Sequence, residues 1–439
     1  CFLFICIQIT YMHFINSSDF ANQLDEQDPL KSFRQKFLFP QHQNKDVIYF
    51  CGNSLGLQPK QTRDYVLQEL NDWKDFGVEG HFQAKNPWYP YHEFLRDNMA
   101  LIAGALPSET VVMNSLTANI HFMLVSFYKP TTKRFKIICE GSAFPSDQYA
   151  LQTQVKFHGF NPDNAIIELH PRTGEHTIRH EDILETISKH KDELVLVFLG
   201  NPNYYTGQVF DMAGITQAGH AAGAIVGFDL AHGIGNLELH LHDWNVDFAV
   251  WCSYKYLNAG PGGVAGAYVH QQHCNNTDLI RFAGWWGNDP QTRFTMPHDF
   301  IPVKSADSWQ LSNAPVLPMA ALRASLEIFA EAGVQNLIKK RKLMNDFLRF
   351  IIGDIISKTN SEKNIIMITP ENENERAAQV SMLCKHNGKK IHGYLTEQGI
   401  IADWREPEVL RIAPVPLYNS FNDIYQFGKC LHEALLLNR

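Results

Sequence analysis

The pattern of apolar and polar residues predicts strands alternating with helices through the first part of the chain. Five apolar runs, each about five to seven residues long, have the length of buried strands, and segments long enough for a crossover helix separate the first four. Such βαβ units build a buried, largely parallel sheet with helices packed against it, so we predict an α/β fold. The five runs are "RFKIICE", "AIIEL", "LVLVFLG", "AIVGFDL" and "DFAVWCS".

Helical spacing marks both flanks of this sheet. Before it, Val66, Leu70 and Trp73 recur on one helical face, and Gly77 is predicted to end that helix. After it, one long helical stretch is predicted from Pro318 to about Ile356, followed by shorter α and β patterns. The prediction has three parts: an N-terminal extension over 1–23, an arm and large domain over 24–315, and a small α+β domain over 316–439.

Composition and charge point to a small-molecule partner. The chain has 439 residues, of which 45% are hydrophobic and 19% charged, as in an ordinary globular protein. Its net charge of -8 and its lack of a basic block argue against electrostatic binding to nucleic acid or to an anionic membrane. The eight cysteines are scattered without a CxxC pair, which predicts a reducing, cytoplasmic location and neither a disulfide framework nor a zinc framework.

The opening run "CFLFICIQIT" is apolar but too short to span a bilayer. We interpret it as a truncation, an alternative start or a gene-model artefact, with a cleaved signal sequence as the lesser alternative. Residues 1–23 are therefore expected to be disordered or artefactual, and the predicted fold does not depend on them.

Chemically capable side chains stand where three predicted strands end. Asp229 closes "AIVGFDL", Lys255 follows "DFAVWCS", and Phe144 and Asp147 follow "RFKIICE" in the segment "GSAFPSD". Ligands of open α/β sheets bind beyond the carboxyl ends of the strands. One strand-to-strand excursion separates Asp229 from Lys255, so both side chains are predicted to meet in one crevice.

A buried aspartate facing a buried lysine has two interpretations. One is a structural ion pair, which is seldom a net stabiliser because both charges lose water. The other is a site for pyridoxal phosphate, in which Lys255 holds the cofactor as a Schiff base and Asp229 pairs with the pyridine nitrogen. The spacing of the two residues leaves both interpretations open.

Residues suited to a phosphate favour the cofactor. Thr117 is predicted to cap an apolar helix within "NSLTANIHFMLVSFY", where free N–H groups and the helix dipole attract a dianion, although a plain helix cap is the alternative. Tyr254 offers a phenolic donor beside Lys255, and Phe144 is a candidate to lie on the cofactor ring. Together these features favour pyridoxal phosphate over the ion pair.

Longer stretches of the chain carry a family resemblance. They are "YFCGNSLGLQPK", "NSLTANIHFML", "AFPSDQYA", "YYTGQVFD", "VGFDLAHGIGN", "WCSYKYLNAGPGG", "GWWGNDPQTRF", "LSNAPV" and "LRIAPVPLYNSFND". Together these stretches resemble kynureninase, a fold-type-I pyridoxal phosphate enzyme. They follow in order from about residue 24 to near the C-terminus, and the resemblance implies a pyridoxal phosphate-binding large domain with a mostly parallel sheet and a smaller C-terminal α+β domain.

The resemblance implies a role for each matching residue. Lys255 matches the Schiff-base lysine, Asp229 the partner of the ring nitrogen, and Tyr254 is the candidate acid, which makes these three the expected catalytic residues. Cofactor contacts are further implied for Leu116, Thr117, Phe144, Pro145, Ser146, Asp147, Gly200, His232, Trp285 and Asn313. Substrate contacts are implied for Ser54, His81, Asn313 and Arg411, with Arg411 gripping the α-carboxylate.

The resemblance also implies an activity and an assembly. The expected reaction is hydrolysis of the Cβ–Cγ bond of L-kynurenine or 3-hydroxy-L-kynurenine, which gives anthranilate or 3-hydroxyanthranilate plus L-alanine in tryptophan catabolism and de novo NAD synthesis. A homodimer is implied, in which Trp285 and Asn313 reach the site of the other subunit. One departure is Gly200, where a serine is expected, and the missing hydroxyl would remove one hydrogen bond of about 1 kcal/mol.

Other functions stay open at this point. Another fold-type-I enzyme, such as an aminotransferase or a cysteine desulfurase, would share Lys255 and Asp229, and so would a non-catalytic homologue that binds the cofactor. His232, His240 and His242 are candidate metal ligands, but surface histidines are the more common outcome of that spacing, so we predict no metal.

Overall fold

The computed structural model describes residues 13–438, so most of the predicted extension, residues 1–12, lies outside the described residues. No helix within 13–438 is both long and apolar enough to cross a membrane. The α-helices, in chain order, are α1 Ser18–Glu26, α2 Thr62–Phe76, α3 Gly80–Gln83, α4 Glu93–Ala103, α5 Leu116–Phe127, α6 Pro145–Phe157, α7 Pro162–Ala165, α8 His180–Lys189, α9 Met212–Ala221, α10 Gln271–Cys274, α11 Val316–Ala332, α12 Val334–Thr359, α13 Gly388–Glu397 and α14 Phe421–Leu437.

The strands form one large sheet, one small sheet and three two-stranded pairs. In chain order they are β1 Phe37–Leu38, β2 Gln41–His42, β3 Lys45–Asp46, β4 Ile48–Tyr49, β5 Gln58–Pro59, β6 Thr110–Val112, β7 Lys136–Glu140, β8 Ile166–Leu169, β9 Leu194–Gly200, β10 Ile225–Asp229, β11 Phe248–Trp251, β12 Gly266–Val269, β13 Ile365–Met367, β14 Val380–Cys384, β15 Ile400–Ile401, β16 Asp403–Arg405 and β17 Val409–Ile412.

The large sheet contains every strand predicted from the five apolar runs. Its order is β6-β12-β11-β10-β9-β7-β8, and the strands from β11 to β8 are parallel to their neighbours. At the other edge, β12 pairs antiparallel with both β11 and β6, so β6 runs in the same direction as β11. Asp229 is level with Gly200 on β9 and with Val250 on β11, so the carboxyl ends of three strands meet at one edge. The predicted α/β class is confirmed.

Each face of this sheet is buried by helices. Along β9 the side chains alternate, because Leu196 and Phe198 belong to the core under α5 and α6, while Val197 and Leu199 belong to the core on the opposite face. Burial on both faces explains why the run "LVLVFLG" is continuously apolar. The helices thereby hold the strand ends rigidly around the space beyond them.

The small sheet is antiparallel, in the order β13-β14-β17-β16, and packs with α12, α13 and α14. The start of the described chain joins this part, because Ala21 of α1 is buried in the same core and β4 pairs with β15 through Ile48 and Ile400. The predicted boundaries stay a prediction, but residues 18–26 form a helix whose apolar face has a partner. Helix α11, which was assigned to the small domain, buries Met319 and Phe329 in the core of the large sheet.

Two helix predictions need correction. The stretch from Pro318 to Ile356 is two helices, because Gly333 between α11 and α12 has a φ of 76° that an α-helix cannot accommodate. Helix α2 ends before Gly77 as predicted, but Leu70 and Trp73 are exposed and the buried residues of the helix are acidic. Its Glu69 accepts hydrogen bonds from Asn86, Trp88 and Tyr91, which satisfies the buried carboxylate.

Candidate active site

A cavity of roughly 150 Å³ lies beyond the carboxyl ends of β7, β9 and β10. Ten of the residues predicted for the site line it, which brings together segments that are far apart in the sequence. The lining residues are Ser115, Leu116, Thr117, Glu140, Phe144, Ser146, Asp147, Gly200, Pro202, Tyr204, Asp229, Ala231, His232, Tyr254 and Lys255.

Lys255 and Asp229 meet in this cavity, as their positions after neighbouring strands predicted. The Lys255 ammonium lies 5.7 Å from the centre of the Phe144 ring, and its charge opposes the rise that burial causes in the pKa of Asp229. One Asp229 oxygen also accepts from the Ala231 N–H at 2.7 Å. The lysine and the N–H group therefore favour a charged aspartate inside a dry environment.

The first turn of α5 faces the same cavity. Ser115 is the N-cap residue, and Leu116 and Thr117 are the first two residues of the helix, so the predicted cap, Thr117, lies two residues too late. The Asn119 N–H donates to the Ser115 carbonyl, whereas the Leu116, Thr117 and Ala118 N–H groups have no backbone partner among the described residues. Free N–H groups at a helix start can bind an anion.

Three buried carboxyl groups surround the cavity, and among the described residues that line it Lys255 is the only lysine or arginine. Burial raises the pKa of Glu140 to about 7, and burial together with Asp229 and Glu140 raises the pKa of Asp147 well above its ordinary value. The Oδ1 atom of Asp147 has no hydrogen-bond partner among the described residues. This part of the protein has more acceptors than donors.

His232 and Tyr254 complete the lining opposite the acids. Burial, and then the charges of Lys255 and Arg411, lower the pKa of His232 well below its ordinary value, so the imidazole is neutral at pH 7. Burial raises the pKa of Tyr254, so its phenol keeps a proton. The cavity therefore offers one neutral ring and one protonated hydroxyl beside Lys255.

Arg411 is buried beside the cavity but does not line it. Its Nε donates to Asp403 at 2.7 Å and its Nη1 donates to the Tyr204 carbonyl at 2.6 Å, while Nη2 also contacts Asp403. A guanidinium carries five N–H groups, so these contacts leave others for a ligand. The predicted carboxylate contact of Arg411 stays a prediction.

Five other predicted site residues lie outside this lining. Pro145 is the first residue of α6, between two residues that do line the cavity. His81 is held through its Nδ1 by the Val78 carbonyl at 2.9 Å and packs edge-on against Trp88. The remaining three, Ser54, Trp285 and Asn313, are exposed in the single chain.

The three candidate metal-binding histidines, His232, His240 and His242, do not form one group. His232 lines the cavity, whereas His240 pairs with Glu238 and His242 pairs with Glu109. The three residues therefore do not act together.

Glu140 is the main residue of the cavity that sequence reasoning missed. It is the last residue of β7, and an acidic residue that closes a predicted parallel strand was the signal available for it. The Gly200 N–H donates to both of its oxygens, at 3.0 and 3.1 Å. A Cβ atom at position 200 would lie 2.7 Å from its Oε1, which gives a physical reason for the glycine there.

Solved structures with the same fold define the class. The cystine C–S lyase C-DES, in complex with cysteine persulfide, superposes with a TM-score of 0.73 at 16% identity, covering 88% of this chain and 97% of that chain. A cysteine desulfurase from Thermococcus onnurineus superposes with a TM-score of 0.72 at 15% identity, covering 89% and 95%. The fold is that of the fold-type-I pyridoxal phosphate enzymes, as predicted.

Sequence relatives narrow this class. The kynureninase C-terminal domain model matches residues 339–431. The chain is 54% identical to the kynureninase of Flavobacterium psychrophilum, over 97% of this chain and all of the relative, and 45% identical to that of Nematostella vectensis, over 96% and 94%. The chain belongs to the kynureninase family, and the predicted resemblance is confirmed.

Proposed function

We propose that this chain is a pyridoxal phosphate enzyme that hydrolyses the Cβ–Cγ bond of L-kynurenine and 3-hydroxy-L-kynurenine. The products are anthranilate or 3-hydroxyanthranilate, and L-alanine. The observation that carries the proposal is the meeting of Lys255, Asp229 and the start of α5 in one cavity of a chain that belongs to the kynureninase family.

The residues present fit this cofactor. The Asp229 carboxylate that lines the cavity can accept from a ring N–H, and the free N–H groups of Leu116 and Thr117 need an acceptor. A protonated pyridine with a phosphate arm supplies both kinds of group. Phe144 and His232 add flat rings on which a planar ligand can lie.

When bound, the cofactor supplies an electron-withdrawing ring that accepts the electron pair of a bond breaking next to the substrate nitrogen. Asp229 would hold a proton on the ring nitrogen, because its carboxylate is buried and has few other donors. His232, which stays neutral, can face the ring without adding a second positive charge.

Lys255 would form the covalent link to the cofactor and, once released, take the proton from the substrate Cα through Nζ. Tyr254 lies next to it in sequence and in the cavity lining, and its raised pKa keeps a proton on its hydroxyl at neutral pH. Tyr254 would give that proton to the three-carbon fragment that becomes alanine. Arg411 would bind the substrate α-carboxylate with the N–H groups that Asp403 and Tyr204 leave free.

The test is a direct assay of the purified protein. With added pyridoxal phosphate and L-kynurenine, anthranilate fluorescence should rise together with an equal amount of alanine. Protein that binds the cofactor but releases neither anthranilate from L-kynurenine nor 3-hydroxyanthranilate from 3-hydroxy-L-kynurenine would contradict the proposal.

A cysteine desulfurase is the rival with the same fold, but it needs a reactive cysteine. Burial raises the pKa of Cys384, which lies in β14, to about 12, so this thiol is protonated at neutral pH. The remaining cysteines within 13–438 are free, and all but Cys430 are buried. Free thiols support the predicted cytoplasmic location.

We also propose a homodimer whose two sites are shared. In support, Trp285 and Asn313 are exposed and lie outside the cavity of their own chain. Helix α2 exposes Leu70 and Trp73, and a second copy of the chain would cover such apolar side chains.

Mixing two variants tests the shared sites. Lys255→Ala and Asn313→Ala should each be poorly active alone, whereas hybrid dimers contain one site with both residues intact. Random exchange makes that site about one quarter of the total, so activity should recover to that level. An active monomer by light scattering, or no recovery after subunit exchange, would contradict the proposal.

A further inference from the structure

Three strand ends at the cavity are connected through Glu140. Its carboxyl group on β7 accepts from the Gly200 N–H on β9, and Gly200 is level with Asp229 on β10. The next amide, Asn201 N–H, donates to the Asp229 carbonyl at 2.8 Å. The position of the Asp229 backbone therefore depends on the end of β9, which Glu140 holds.

Glu140 also fills the space beside Gly200. Its Oε1 lies 2.7 Å from the position that an ideal Cβ would take at residue 200, which is too close for a larger residue there unless the carboxyl group moves. The carboxyl group is 2% exposed and has no lysine or arginine partner within 13–438. Position 140 and position 200 thus share one small volume of the cavity wall.

The charges around Glu140 favour its neutral form. The acids that interact with it are Asp147 from α6 and Asp229 from β10, and β9 contributes a backbone amide. Lys255, from the loop after β11, lines the same cavity. On β8 the titratable residue is Glu168, which is partly exposed beside His170. Three ionised acids beside one ammonium would leave a buried negative excess, which burial opposes.

We propose that Glu140 is a positioning residue of this active site, which holds the end of β9 beside Asp229. Burial and the charge of Asp229 raise the pKa of Glu140 to about 7, so its carboxyl group takes up a proton in the neutral pH range. The inference deepens the proposed function, on which it rests for the identity of the cofactor.

A double-variant experiment on the apoprotein tests the shared volume. The dissociation constant of pyridoxal phosphate is measured by equilibrium dialysis for Glu140→Ala, Gly200→Ser and the double variant. Each single change should weaken binding about tenfold, because one removes the acceptor of a buried N–H and the other displaces the carboxyl group. The double variant should bind about as weakly as Glu140→Ala alone, and not about a hundredfold more weakly than the unchanged protein, because no carboxyl group is left for the serine to displace.

Two comparisons keep this experiment decisive. Glu168→Ala changes a partly exposed glutamate on the neighbouring strand β8 and should leave the dissociation constant unchanged. Glu140→Gln should recover most of the affinity that Glu140→Ala loses, because the amide oxygen can accept from the same N–H. If Glu140→Ala does not fold, Gly200→Ala takes its place and must weaken binding. Losses that simply multiply in the double variant, or an unaltered Gly200→Ala, overturn the inference.

The proton on Glu140 is tested by thermal unfolding of the apoprotein. A carboxyl group whose pKa is higher in the folded state binds its proton more tightly there, so stability falls as pH rises from about 4.5 to about 7. Glu140→Gln removes this loss, and its Tm advantage over the unchanged protein should grow between pH 5 and pH 7.5. A Tm difference that does not depend on pH overturns the assignment. If the unchanged protein binds no cofactor, the proposed function is wrong, but the Tm result still tests whether Glu140 takes up a proton.

Discussion

The two ends of the large sheet both bury acidic side chains, but they supply them with very different numbers of donors. At the amino end, Asp247 receives a hydrogen bond from His273 at one oxygen (2.7 Å) and from His220 and the Val226 N–H at the other (2.8 Å each). Burial opposes its ionisation, yet these hydrogen bonds lower the pKa of Asp247.

Glu109 at the same end is satisfied in the same way. Its Oε1 accepts from His242 at 2.9 Å and from the Gln271 N–H at 2.8 Å, and its Oε2 accepts from the Leu106 N–H at 2.9 Å. At the carboxyl end, in contrast, burial raises the pKa of Glu140, Asp147 and Asp229. The acids there lack the donors that the amino end provides.

The difference separates structural acids from functional ones. A buried carboxylate with a full set of donors needs no ligand and fixes the elements that provide the donors. A buried carboxylate with too few donors has a perturbed pKa, which is common where a ligand or substrate completes the site. Substitutions at equivalent places should therefore lower activity at the carboxyl end of the sheet and stability at the amino end.

Replacing one lysine with alanine at each end of the sheet should give the largest difference in kcat. Lys255→Ala removes the only lysine among the described residues that line the cavity and should lower kcat by at least about 10⁴-fold, with loss of the visible absorbance of the bound cofactor. Lys136→Ala, at the amino end of β7, loses only a pair with Glu193 and should keep both signals. Borohydride trapping of the cofactor on a lysine other than Lys255 would contradict this prediction.

Replacing one aspartate at each end of the sheet should give smaller effects, on kcat at the carboxyl end and on the free energy of unfolding at the amino end. Asp229→Asn cannot hold a proton on the ring nitrogen as an anion, so kcat should fall by about 10²-fold or more while the protein stays folded. Asp247→Asn leaves donors facing an amide N–H₂ and should cost about 1–3 kcal/mol of the free energy of unfolding. The kcat per folded molecule of Asp247→Asn should change little.

Kinetics and denaturant unfolding of the same two variants decide this comparison. If Asp229→Asn keeps kcat within about tenfold, or roughly 1.4 kcal/mol, Asp229 has a structural role only. If Asp247→Asn loses activity without losing stability, the amino end takes part in catalysis.

Much of this contrast could be predicted from the sequence, but only at one end. The strands were predictable because each apolar run is continuous, and Asp229 and Lys255 were predictable because they follow such runs. The burial of Glu69 and Asp247 was not predictable, because their hydrogen-bond donors come from other elements and no spacing in the sequence predicts those contacts. The Asp403 and Tyr204 contacts of Arg411 and the pairing of β4 with β15 are likewise set by packing between distant segments.

Local rules also failed where two of them competed. Ser115 and Thr117 both suit a helix start, and propensity alone does not choose between them. Gly333 stands inside a continuous helical pattern, where a single glycine is tolerated, so the break between α11 and α12 was missed.

The smallest expected effect concerns His220 at the amino end. Its hydrogen bond with Asp247 raises the pKa of His220, so protonation stabilises the folded protein. That stability is fully present below pH 6.5, the ordinary value for histidine, and is lost as pH rises through the higher value in the folded state. Because the side chain is about one third exposed, at 35%, solvent screening should keep the contribution below about 1 kcal/mol.

The Tm of the unchanged protein should exceed that of His220→Gln most at pH 5.5, and the difference in Tm should narrow toward pH 8.5. His298→Gln, at a fully exposed histidine, should show no such trend. A gap for His220→Gln that widens with pH would mean that Asp247 does not hold the protonated ring.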